Sequence, residues 1–80
     1  MGFQAVELSV SEPDREDFVR ALNFVRTHQN ASPALIRRSL GIKLVRIMNF
    51  LEVMEAAELI GPYHSITTPR DIHIPKSGGH

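Results

Sequence analysis

Ser32-Pro-Ala-Leu-Ile-Arg-Arg-Ser-Leu-Gly-Ile-Lys-Leu-Val-Arg-Ile-Met-Asn-Phe-Leu-Glu-Val-Met54 is the stretch on which the fold turns. Ser32 ahead of Pro33 predicts a helix start, because the hydroxyl can accept an orphan backbone N–H and proline has no donor to waste in a first turn. That helix carries Ala34, Leu35 and Ile36 before Arg37 and Arg38, and Gly41 can supply the left-handed conformation that ends it. A longer helix then runs from about Lys43 to Leu59, with Leu44, Ile47, Met48, Leu51 and Met54 on one stripe and Phe50 beside it. Gly61-Pro62 closes it. Two helices joined by a tight Gly-containing turn are the sequence form of a helix-turn-helix.

Upstream, Ser11-Glu-Pro-Asp14 reads as another helix start, with the Ser11 hydroxyl accepting from the backbone three residues on. Phe18, Ala21, Leu22 and Val25 then recur at helical spacing and predict a helix from about 13 to 28. Before it, Val6, Leu8 and Val10 alternate, a short strand pattern. Downstream of Pro62 the period changes to two: Ile72 and Ile74 alternate with Asp71 and His73, and Tyr63 and Ile66 suit a facing strand across the Thr67-Thr68-Pro69 turn. A hairpin appended to three helices makes the expected class α+β, a winged helix. Residues 1–12 are then a linker or short N-terminal strand, 13–74 the winged-helix domain, and 75–80 a disordered tail. Leu22, Val25, Leu35, Leu51 and Met54 are expected to share one core.

Eighty residues allow one small domain, and 42% hydrophobic with 22% charged residues is ordinary globular composition. The absence of cysteine excludes a disulfide framework and thiolate chemistry. No apolar run reaches membrane-spanning length and no signal-peptide pattern opens the chain, so a cytoplasmic protein without membrane contact is expected. The formal net charge of zero hides a strong asymmetry: residues 1–17 sum to −4, residues 18–51 to +6 with no acid at all, and residues 52–80 to −2. A basic middle between acidic ends suits a face that meets an anionic partner.

Four quoted pieces carry a family resemblance: Ala31-Ser32, then Leu35-Ile-Arg-Arg-Ser-Leu-Gly-Ile42, then Met54-Glu-Ala-Ala-Glu-Leu-Ile-Gly-Pro62, and Thr68-Pro-Arg70. Over roughly residues 14 to 74 the chain resembles the γ domain at the C-terminus of FtsK-type DNA translocases. The resemblance implies a winged helix that binds double-stranded DNA at a short, directional G-rich motif, orients the motor, and touches a tyrosine recombinase as a second partner. In that family the recognition helix opens Gly-Tyr-Asn-Arg-Ala-Ala-Arg, where this chain has Lys43-Leu-Val-Arg-Ile-Met-Asn49. Arg46 keeps the family residue type, Val45 stands for the Asn and Asn49 for the second Arg. That set offers arginine for guanine, asparagine for adenine and an apolar side chain for the thymine methyl. No Gly-rich phosphate loop with Gly-Lys-Ser/Thr is present, so the chain cannot itself drive translocation.

The expected DNA-binding set is therefore Lys43, Val45, Arg46 and Asn49 on the long helix, Arg37 and Arg38 on the shorter one, and Arg70 at the wing tip. Lys43, Arg46, Asn49 and Val53 share spacings of three or four residues, and Arg20 and Arg26 are further candidates for phosphate contact. Val45 and Val53 suit thymine methyls or a protein surface, so a protein-interaction module docking on a recombinase or a second copy stands as the alternative. His28, His64, His73 and His80 lack metal-ligand spacing, and no nucleophile sits beside a base in the sequence. No catalytic residue, metal or cofactor is expected.

Overall fold

The computed structural model describes residues 4–63 and 70–76. A helical turn α1 (Gln4–Glu7) and a 3-10 turn (Glu12–Asp14) lead into three principal helices: α2 (Arg15–His28), α3 (Pro33–Leu40) and α4 (Leu44–Ala56). The three pack around one core. Phe18, Ala21, Leu22 and Val25 of α2 are all buried, as their spacing predicts, and meet Ile36 of α3 and Ile47, Phe50, Leu51 and Met54 of α4. The rings of Phe18 and Phe50 stand edge to face, 5.5 Å between centroids, a favoured aromatic arrangement.

The helix-turn-helix starts and stops as its residues dictate. Ser32 Oγ accepts from the Leu35 N–H at 3.4 Å, and Gly41 ends α3 at φ 71° while its N–H donates to the Arg37 carbonyl. At the other end of the domain, α4 stops several residues before Leu59. Glu58 takes the left-handed conformation at φ 63°, and the N–H groups of Glu58 and Leu59 donate to the carbonyls of Glu55 and Met54, a Schellman motif without its usual glycine. Glu58→Gly is therefore expected to stabilise the fold by about 1 kcal/mol, because it relieves the Cβ clash of that conformation and removes an anion from the negative end of α4. Chemical denaturation of the two chains would show it.

Several sequence expectations are corrected. The α+β class gives way to an all-helical architecture: among the described residues there is no strand, only an isolated antiparallel bridge between Ile60 and Ile72. Gly61 N–H donates to the Asp71 carbonyl at 2.8 Å and His73 N–H to the Leu59 carbonyl at 2.9 Å. The pairing does not extend before Leu59 because the Leu59 N–H is already committed to the Met54 carbonyl behind the Glu58 turn. Gly61 serves this crossing rather than the helix end, since a Cβ there would stand 3.2 Å from the Asp71 Cβ. The expected wing turn at Thr67-Thr68-Pro69 and the tail beyond Lys76 lie outside the described residues.

The strand expected around Val6 is the helical turn α1, followed by turn bonds from Ser9 to Val6 and from Val10 to Glu7. Val6, in α1, and Val10, in the turn after it, pack on the core while Leu8 faces outward, so the alternation comes from a helical turn and the bend that follows it. Ser11 likewise does not cap the backbone. Its hydroxyl donates to the Asp14 carboxylate, and α2 begins only at Arg15.

A further correction concerns the apolar stripe of α4. Leu44 is 47% exposed and Met48 37%, while Leu35 of α3 is only partly buried. Phe50 draws the buried arc of α4 to its own side, which leaves Met48 about 110° from the arc's centre at roughly 100° per residue. Val45 falls nearly opposite that centre and is 66% exposed.

Candidate nucleic-acid interface

The exposed surface around the α3–α4 turn is built from two unlike parts. Arg37 and Arg38 in the last turn of α3 and Lys43 at the N-cap of α4 are exposed, and their side chains make no hydrogen bond or ion pair with the described residues. The outward arc of α4 carries Val45, Met48, Asn49 and Glu52. Ala34 and Leu35 border the two arginines along a shallow groove.

The remaining arginines are engaged inside the protein. Arg15 Nε donates to the carbonyls of Glu7 and Val10 and ties the N-terminal segment to α2. Arg20 pairs with Asp17 and donates to the Leu40 carbonyl, bridging α2 to the end of α3. Arg26 donates to the Asn23 side chain.

Arg46 leaves the outward arc for the flank that faces α2. Its guanidinium donates to Asp14 at 2.6 Å and to Asp17 at 2.7 Å, and lies 5.6 Å from the centroid of the Phe50 ring. Two charge-assisted hydrogen bonds of this length saturate one side of the fork. Arg70 is more enclosed still, 9% exposed, and donates to Glu55 Oε1 at 2.9 Å and to the Gly61 carbonyl at 3.0 Å, with the Tyr63 ring 5.8 Å away. It fastens the returning segment to the last turns of α4.

The seven expected DNA-binding residues are thus sorted by the fold. Lys43, Arg37 and Arg38 form one uncommitted basic group, Val45 and Asn49 lie on the adjoining exposed arc, and Arg46 and Arg70 sit in internal ion pairs. Val53, expected near Arg46 and Asn49, is partly buried against the core. A family model for the Ftsk gamma domain matches residues 12–75. The chain belongs to the FtsK gamma-domain family. Members of that family are small DNA-binding domains. No curated protein and no solved structure matches the chain.

In this gamma domain the Arg46 clamp sets the local electrostatics. The Arg46 hydrogen bond holds the Asp17 carboxyl below its ordinary value of 3.8 against the opposing desolvation, and the Arg20 hydrogen bond adds to the lowering. The same two carboxylates, Asp17 first and then Asp14, raise the Arg46 guanidinium further above its already high value. Sequence reasoning missed Asp14, Asp17 and Glu55 as partners. Asp14 and Asp17 are one helical turn apart at the start of α2, where they suit the helix dipole; that role hid their second one, which depends on how α2 crosses α4. Met48 was missed as a surface residue for the reason given above. No helix among the described residues is long and apolar enough to cross a membrane, and none of their His, Asp and Glu side chains form a group able to hold a metal.

Proposed function

We propose that the chain is a duplex-DNA-binding module that seats the α3–α4 helix-turn-helix on the duplex and so orients a translocase of the FtsK type on its track. Arg37, Arg38 and Lys43 supply the phosphate contacts, and the exposed arc of α4 faces the major groove, which is wide enough to admit a helix. The observation that carries this reading is the division among the cations. Those around the α3–α4 turn have no partner among the described residues, while Arg15, Arg20, Arg46 and Arg70 are held by protein groups. Family membership supplies the kind of partner.

Arg46 and Arg70 contribute as positioning residues in this reading, Arg46 by fixing α4 against α2 and Arg70 by fixing the returning segment against α4. Counterion release provides the test. Arg37→Ala, Arg38→Ala and Lys43→Ala are each expected to weaken binding to every duplex alike and to make the log-log salt slope about one unit shallower. Titrations of a labelled duplex at several salt concentrations measure both quantities. Three unchanged slopes would remove these residues from the interface.

A further inference from the structure

The proposed interface leaves open which bases it meets, and the arc of α4 narrows the answer. Guanine is read in the major groove by donors aimed at its O6 and N7, most often an arginine fork. The one arginine in the first turns of α4, Arg46, has its fork turned to Asp14 and Asp17 at 2.6 and 2.7 Å. What α4 presents to solvent in its first two turns is Leu44, Val45, Met48 and Asn49, with the last three on the arc away from the core. Val45 and Met48 are exposed apolar groups that gain nothing from water, and Asn49 carries both a donor and an acceptor with no partner among the described residues.

We infer that this arc reads thymine and adenine in the major groove, with Val45 and Met48 against thymine C5 methyls and Asn49 hydrogen-bonded to adenine N6 and N7. The inference rests on the duplex-DNA reading above and adds the base preference to it. Charge complementarity favours DNA over a protein as the occupant: Arg37, Arg38 and Lys43 flank the start of the arc, and no acid faces outward from α4 before Glu52. Glu52, next along the arc, can only accept hydrogen bonds, which fits an exocyclic amino group of adenine or cytosine and not guanine O6 or N7. The apolar and amide contacts belong to the stretch from Val45 to Asn49.

The test compares three duplexes of equal length at one low salt concentration: alternating A·T, the same duplex with deoxyuridine for every thymidine, and alternating G·C. Deoxyuridine removes only the C5 methyls from the major groove and leaves the minor groove alone, so it separates this mode from minor-groove A·T preference. The chain is expected to bind A·T about tenfold tighter than G·C and to lose about fivefold on the deoxyuridine duplex. Val45→Ala, an exposed change to a better helix former, is expected to shrink the deoxyuridine effect below about twofold while leaving the fold intact. Asn49→Ala is expected to keep the methyl effect and narrow the A·T to G·C ratio. Equal affinity for the three duplexes, or a preference for G·C, overturns the inference and leaves duplex binding standing. No binding to any of them overturns both, and makes the apolar arc a protein-docking surface.

Discussion

Leu51→Ala is expected to remove about 2–5 kcal/mol of stability, a large fraction of what a domain of this size has. Leu51 is fully buried in the middle of α4, in one core with α2 and α3, and truncation there leaves a cavity whose neighbours are fixed by three helices. The companion change Leu44→Ala is expected to cost less than about 1 kcal/mol, since its side chain is 47% exposed on the same nominal stripe. The difference between the two is the decisive quantity. Urea denaturation of both variants measures it, and similar losses would mean that α4 is rotated from the orientation described above.

That contrast marks how far the sequence could be read. Ser32, Pro33 and Gly41 define their helix locally: a hydroxyl, a missing donor and a tolerated left-handed φ act within a few residues, so the sequence places these boundaries without knowing the rest of the fold. The rotation of α4 is different in kind. Periodicity finds an amphipathic helix, but the arc that is buried depends on what α2 and α3 bring to it, and Phe50, through its contact with Phe18, shifts that arc away from Met48. The same holds for the segment after Pro62. Ile72 and Ile74 do alternate in burial, yet alternation says nothing about whether a partner backbone continues alongside, and among the described residues the crossing is a single bridge.

Within the candidate site, residue type alone does not distinguish the cations that stay at the surface from those held in ion pairs. Arg37 and Arg38 lie on the exposed last turn of α3 with no acid nearby in sequence. Arg46 and Arg70 look no different in composition, but their partners are distant: Asp14 and Asp17 lie 32 and 29 residues from Arg46, and Glu55 lies 15 from Arg70. Such pairs are created by tertiary packing and have no local signature. The family pattern preserves Arg46 as a residue type without saying which way its fork points.

Arg46→Ala is the change that separates a guanine reader from a clamp. A guanidinium bidentate on guanine would contribute about 1–3 kcal/mol at a preferred site and far less on random duplex. The clamp predicts another result. Loss of Arg46 leaves Asp14 without a counter-charge and Asp17 with Arg20 alone, near the start of α4, so the melting temperature is expected to fall and all duplexes to bind more weakly by a similar factor. The ratio of preferred to random affinity should stay within about twofold. Acid titration supplies an independent sign. Because the folded-state value of Asp17 lies below the ordinary 3.8, the folded protein releases this proton more readily than the unfolded chain. Its stabilisation is fully present above that ordinary value and is lost as pH falls through the lowered one. Stability of the parent chain should therefore decline with acid in that window, and Arg46→Ala should flatten that part of the decline because the hydrogen bond that lowers Asp17 is gone. A specificity ratio that collapses in Arg46→Ala, with an unchanged acid profile, would instead mean that Arg46 exchanges its two carboxylates for a guanine on binding.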